Sequence, residues 1–348
     1  MRLEPRSETP VAWALAAPLL AVAAALGLCA IPLWIAGADV LRAYGLILTG
    51  SLGSFFALSE TLARATPIML TGLAAAVAFR ARLWNIGGEG QLYAGALAAV
   101  ALGTGALDLP GYLLLPLVLA GGASAGAVLM LGPTILKTRL GVDEVVTTLL
   151  LNFVVLLFVG MMLEGPMQDP MGMGWPQSAP VLDQAVLPPL VARGRVHAGL
   201  ILAVVLGVVV WFVVARTIWG FELRATGINA RAARFAGMPV ERVLWRTALV
   251  SGALAGLAGV GEVTGLKGYL TQDLSPGYGY AGIVVAMLAQ LHPLGVLLAA
   301  LYVAAVFVGA DSMSRALGIS SYIANIIVAT SLLTMLLAGL AIRFRIRR

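Results

Sequence analysis

From Val11 to Gly37 the chain runs through 27 consecutive residues without a charge. As a helix, that stretch would rise about 40 Å at 1.5 Å per residue, more than the ~30 Å hydrocarbon thickness of a bilayer. A cleavable signal has an apolar core of about 7–15 residues and a small-residue cleavage site. This run is about twice as long, and Leu28 before Cys29 does not suit a lipoprotein cleavage site. The stretch therefore reads as an uncleaved first span.

Nine further candidate spans follow, each bounded by charge, Gly or Pro: Leu62–Phe79, Leu83–Leu102, Gly111–Leu136, Val145–Leu163, Ala198–Ala215, Thr247–Leu266, Gly277–Gln290, Leu294–Ala310 and Ile319–Ile342. Composition agrees, since 60% of residues are apolar, 11% are charged and the mean hydropathy is +0.97. Soluble domains have roughly 45–50% apolar and about 25% charged residues. Ten spans of about 20 residues leave little chain for a separate soluble domain. The expected architecture is an all-α polytopic membrane protein forming a single transmembrane domain over residues 1–348. Two spans look broken or re-entrant: Gly277–Gln290 is too short to cross alone, and Asn85–Gly90 is too rich in glycine for a continuous helix.

Orientation follows from the basic residues of the short loops. With ten spans both termini share one side, which would hold sixteen of the 22 Lys and Arg residues, including Arg80, Arg82, Lys137, Arg139, six arginines from Arg216 to Arg246, and the tail Arg343–Arg348. That side reads as the cytoplasm. The net charge of +6 is then topological and does not call for nucleic acid. Residues 1–10 form a cytoplasmic start and 343–348 a basic cytoplasmic tail. The Pro- and Met-rich loop Glu164–His197 falls outside, as does the apolar piece Tyr44–Leu58, readable as an interfacial helix. A division near Pro188 gives halves 11–187 and 188–342 of five spans each. Because five is odd, the halves are inverted, as in many transporters.

The cytoplasmic loop 216–246 carries strong punctuation. Asn229 is a good N-cap, Ala230–Ala236 contains good helix formers, Gly237 suits a left-handed C-terminal position, and Pro239 forbids continuation. A two-turn helix is unstable alone in water, so it must be braced or docked upon. The alternative is an ordinary solvated loop whose arginines set topology.

The stretch Gly220–Met238 (GFELRATGINARAARFAGM), followed by Ser251–Gly259 (SGALAGLAG), resembles the coupling segment of inner-membrane permeases of ATP-binding cassette importers. The branch is that of simple-sugar, nucleoside and branched-chain amino-acid permeases. Leu83–Ala96 (LWNIGGEGQLYAGA), Thr66–Gly72 (TPIMLTG) and Asp143–Asn152 (DEVVTTLLLN) fit it too and look most like nucleoside permeases. The resemblance implies a type II-like permease in the bacterial inner membrane and a second permease subunit, identical or related. It also implies ABC ATPase subunits that bind ATP and Mg, and an external substrate-binding protein. It assigns ATPase coupling to Glu222, Arg224, Gly227, Asn229, Arg231, Ala232, Ala233, Arg234 and Gly237. The cargo would be a small polar solute, most readily a nucleoside, with ribose-like sugars and branched-chain amino acids as alternatives.

The chain itself is expected to be no enzyme and to bind no cofactor. Its two lysines, Lys137 and Lys267, each follow Leu, so no Gly-Lys of a phosphate-binding loop exists. His197 and His292 are expected on opposite sides of the membrane and cannot share a metal. Polar groups at membrane depth mark candidate path residues: Asn85, Glu89, Gln91, Asn152 and Gln290. Each has a structural alternative. Glu89 can satisfy loop backbone, and Asn152, Gln290 and Glu262 can bond helix to helix. Glu89 and Glu262 are also the acids that an ion-coupled secondary transporter would need. The spacings Gly252-x-x-x-Gly256 and Gly261-x-x-x-Gly265 favour close helix packing over substrate contact.

Overall fold

Short polar caps decide where the helices begin. The structure is a computed structural model that describes residues 2–5, 23–24, 26–105, 109–320 and 344–347, with isolated positions between 322 and 337. The Asp39 side chain accepts from Leu41 N and Arg42 N at 2.9 and 3.1 Å, which opens α2 (Val40–Leu52). α1 (Leu26–Ile35) precedes it at a bend of 115°. Ser54 Oγ accepts from Ala57 N at 3.0 Å and starts α3 (Phe55–Arg80). The sequence places the start of this span at Leu62, just after the charge of Glu60. The cap overrides the charge, and the helix takes in Glu60. The expected interfacial piece Tyr44–Leu58 is thus divided between α2 and the first turn of α3.

The remaining helices are α4 (Gly88–Gly103), α5 (Gly111–Ile135), α6 (Glu144–Leu163), α7 (Gly199–Arg216), α8 (Ile218–Ile228), α9 (Ala230–Phe235), α10 (Val240–Glu262), α11 (Tyr278–Leu288) and α12 (Pro293–Leu317). π-helical turns extend α5 to Leu140 and α10 to Lys267. Each ends on a left-handed glycine, Gly141 and Gly268. Six helices among the described residues are long and apolar enough to cross a membrane: α3, α5, α6, α7, α10 and α12. α12 runs on past the expected Ala310 and carries Asp311 and Arg315. The expected span Ile319–Ile342, and the part of Val11–Gly37 before residue 23, lie largely outside the described residues. The chain is a helical, multi-pass membrane protein. Two four-residue strands, β1 (Arg2–Pro5) and β2 (Phe344–Arg347), pair antiparallel.

Contacts divide the chain into two units. One comprises Met1–Thr61 and Tyr302–Arg348, and the other Leu62–Leu301. In the first, Cys29, Leu33, Ala43 and Met313 form a buried cluster. In the second, α4, α5 and α10 meet along a glycine seam. A Cβ on Gly95 would strike the Gly256 backbone, one on Gly252 would strike Gly126, and one on Gly259 would strike Leu92. Such approach is how apolar helices gain van der Waals contact where lipid offers no hydrophobic drive. The packing role expected of Gly252 and Gly256 is met. α3 is 89% buried along its apolar window, whereas α6 and α7 are each 28% buried, so α6 and α7 present most of their apolar surface outward.

Candidate functional site

The chain between α3 and α4 is not helical. Arg82 adopts a positive φ of 54°, and Leu83–Gly87 runs irregularly until Gly88 opens α4. Irregular backbone at membrane depth persists only where protein satisfies it, and α6 does so with residues four apart. Glu144 Oε1 accepts from Trp84 N at 3.1 Å, Thr148 Oγ1 from Ile86 N at 3.2 Å and Asn152 Oδ1 from Gly90 N at 2.8 Å. Positions i, i+4 and i+8 lie on one helix face, so this stripe is a ladder for the broken segment. Lys137 pairs with Glu144 at the N-terminal foot of α6.

Four of the candidate path residues assemble around this break and all are buried. Asn85 donates to Gln91 Oε1 at 2.8 Å and Ser251 Oγ at 2.9 Å and accepts from Gly87 N at 2.9 Å. Ser251 in turn donates to Ala74 O at 2.8 Å, which links α3, α4 and α10. Asn152 Nδ2 donates to Ile86 O at 2.9 Å and Tyr280 OH at 3.2 Å. Glu89 Oε2 accepts from Gly279 N at 2.7 Å, where the carboxylate meets the positive end of α11. Gln290 is elsewhere: it is exposed in the turn after α11, with a φ of 52°. Glu262 is buried at the end of α10. Sequence reasoning missed Glu144, Thr148, Ser251 and Tyr280. The four-residue spacing of Glu144, Thr148 and Asn152 on an otherwise apolar helix was the available signal.

α11 is the second break. It has 11 residues and rises about 16 Å, roughly half the hydrocarbon thickness. Tyr93 OH donates to Gln272 O at 2.5 Å and accepts from Ser275 N at 3.1 Å. Ser275 Oγ accepts from Gly277 N and Tyr278 N and so closes the front of α11.

The punctuation of loop 216–246 is realised residue by residue. Asn229 Oδ1 accepts from Arg231 N and Ala232 N at 3.0 and 3.1 Å, the six-residue α9 follows, and Gly237 takes φ +82°. Pro239 caps α10, which begins at Val240. Before α9, α8 is anchored inward. Arg224 donates to Val214 O, and Gly227 is packed so closely that a Cβ would strike Arg80 O. Glu222 is half-buried and Ala233 buried, while Arg231, Ala232 and Arg234 are exposed. Phe235 is 97% exposed and Ile228 77%. A cleft of about 480 Å³ opens beside Asn229, with Arg82, Lys137 and Arg231 on its walls.

The histidines have local roles. His292 Nδ1 accepts from Gly295 N at 3.3 Å at the start of α12. His197 Nδ1 accepts from Gly199 N at 3.2 Å, its ring fills the space beside Gly199 and Gly265, and burial pushes its pKa down to about 4. Among the described residues, no group of three or more His, Cys, Asp or Glu is placed to hold a metal.

Residues 57–342 match the family described as the branched-chain amino acid transport system / permease component. The glucose ABC transporter permease protein TsgB13 of Haloferax volcanii is 38% identical, over 99% of this chain and 93% of its own length. The guanosine ABC transporter permease protein NupP of Bacillus subtilis is 36% identical over 94% of each chain. The nucleoside ABC transporter permease protein NupB of Lactococcus lactis is 32% identical over 90% of this chain and 88% of its own.

Proposed function

The chain belongs to the branched-chain amino acid transport system / permease component family, and from that premise we propose that it conducts nucleosides inward as the permease subunit of an ABC importer. Support for the cargo comes from relatives named for guanosine and nucleosides at 36% and 32% identity over nine-tenths of the chain. A simple sugar is the second reading, favoured by the 38% identical relative named for glucose.

The full chain has ten spans in two inverted halves, 11–187 and 188–342, with both termini in the cytoplasm of a bacterial inner membrane. It pairs with a second permease subunit, identical or related, and receives solute from an external binding protein. ATP and Mg act on partner ATPase subunits. The observation that carries the coupling assignment is the exposed face of α9, where Arg231, Arg234 and Phe235 stand clear of the protein on a segment braced at both ends. Glu222, Arg224 and Gly227 belong to α8, which holds α9 against the spans. Closure of the ATPase pair pushes on α9 and rocks the permease halves between outward and inward openings, each stabilised to a different degree.

Asn85, Glu89, Gln91 and Asn152 shape the path from behind, by holding the broken backbone at Leu83–Gly87 and at the start of α11. Ion coupling through Glu89 is disfavoured by its commitment to Gly279 N. The test is uptake of labelled guanosine, uridine, glucose, ribose and leucine by the reconstituted importer. ATP-dependent accumulation of a nucleoside is the expected result, and accumulation of glucose alone would transfer the assignment to sugar.

A further inference from the structure

The buried polar residues around the α3–α4 break are consumed by backbone and by neighbouring side chains, so the surface that a solute meets must lie one layer outward. Depth can be read from helix contacts. Gly95 lies against Gly256, which is the middle of the apolar stretch Thr247–Leu266. Glu89 and Tyr93 precede Gly95 on α4, and helical side chains lean toward the N-terminus. Their partners Gln272, Ser275 and Gly279 therefore lie within the bilayer. The same segment descends along α6: a Cβ on Gly160 would strike the Gln272 carboxamide, and two turns lower Asn152 holds the Tyr280 hydroxyl at 3.2 Å. The non-helical backbone that carries Gln272 must, at this depth, line a cavity or pack in protein, and Tyr280 follows it in the first turn of α11. Here Gln272 is exposed and Tyr280 is 39% exposed.

We propose that Gln272 and Tyr280 contact the solute on the translocation path and select a flat, uncharged heterocycle. This rests on the nucleoside reading above. Tyr280 offers a ring face whose hydroxyl is fixed by Asn152, so the platform is pre-oriented for stacking. Gln272 offers a carboxamide, donor and acceptor side by side, which matches the hydrogen-bonding edge of a nucleobase. Gly160 is a positioning residue that makes room for it. Asn85, Glu89 and Asn152 act behind this layer and touch no solute.

The experiment uses the assembled importer in proteoliposomes, with uptake normalised to permease content. Tyr280→Leu is expected to raise the KM for nucleoside uptake about tenfold through lost stacking, Tyr280→Phe to stay within about threefold because the ring remains, and Gln272→Ala to change the preference between guanosine and uridine. In a Cys29→Ala background, Tyr280→Cys and Gln272→Cys should react with a membrane-impermeant maleimide, and saturating guanosine should slow the reaction at both. Absence of labelling at both positions, or labelling that no transported solute slows, overturns the placement even if the importer carries nucleosides. If the importer carries glucose and glucose slows labelling, the placement stands and selection of a heterocycle is overturned.

Discussion

The carboxylate of Glu89 accepts the backbone N–H of Gly279 at 2.7 Å and ties the first turn of α4 to the first turn of α11 across 190 residues of sequence. Both helices start at a break in the spanning pattern, and each break leaves amides that lipid cannot satisfy. Glu89 serves one break with a side chain from the other. The positive end of α11, which in other transporters is free to attract an anionic group, is already occupied here by the protein's own carboxylate.

Glu89→Gln keeps a carbonyl acceptor for Gly279 N. The variant is expected to reach the membrane and retain ATP-dependent uptake. Glu89→Leu leaves a buried amide unpaired and should lower stability by about 1–3 kcal/mol, read as a lower unfolding temperature in detergent. Loss of uptake by the Gln variant at normal membrane content would contradict the structural role and favour ion coupling.

The seam between α4, α5 and α10 predicts a contrast between two glycines. Gly256 faces the Gly122 carbonyl so closely that a Cβ cannot fit, and Gly256→Ala should destabilise by ~1–3 kcal/mol or more through overpacking. Gly45, within α2, has nothing within 4 Å of its added Cβ. Gly45→Ala should be neutral or gain up to ~1 kcal/mol from helix propensity. Equal loss of unfolding temperature in both variants would refute the close-packing account.

Much of this was legible in the sequence wherever the signal was local. The caps at Asp39 and Asn229 and the left-handed turn at Gly237 are decided within a few residues. The apolar runs announce the membrane because no soluble chain needs them. The site was less legible because its bonds are long-range. Asn85, Glu89, Gln91 and Asn152 were visible as polar groups at membrane depth, but their partners Ser251, Gly279, Ile86 and Tyr280 lie far along the chain or contribute backbone atoms that sequence does not display. Ser54 shows a smaller failure of the same kind. One hydroxyl starts α3 earlier than the apolar run begins, since a cap can outweigh a charge, Glu60, that hydropathy treats as a boundary.

His197 carries a pH dependence whose sign follows from its burial. Its folded pKa of about 4 lies below the ordinary 6.5, so the unfolded chain takes up a proton first as pH falls. Stability is fully present above about pH 6.5 and is lost progressively toward pH 4, by up to ~3 kcal/mol. The unfolding temperature of the wild-type permease should fall over that interval. His197→Gln, which cannot titrate, should flatten the slope whatever its own stability, and an unchanged slope would remove His197 as the source.

Arg234 is exposed on α9 beside the fully presented Phe235. Purification in mild detergent is expected to recover ATPase subunits with the permease. Arg234→Glu should reduce their retention severalfold, because a reversed charge at a docking surface is repelled instead of paired. Phe235→Ala should do so as well, through loss of an aromatic anchor. Retention equal to wild type in both variants would remove α9 from the interface.

Gly237 is where a backbone requirement and the coupling assignment meet. Its φ of +82° closes α9, and nothing lies within 4 Å of the position a Cβ would take. Substitution there meets no steric neighbour and acts through backbone conformation alone. A left-handed L-residue costs roughly 1–2 kcal/mol, more for a β-branched one, which is small against a whole transmembrane fold but large against a six-residue helix that cannot stand alone. Gly237→Val should therefore insert normally, keep its unfolding temperature within a few degrees, and lose ATP-driven uptake as α9 changes its presentation to the ATPase. Gly237→Asn, which tolerates the left-handed region, should recover much of the lost transport. Normal uptake by the Val variant would show that the turn does not transmit force.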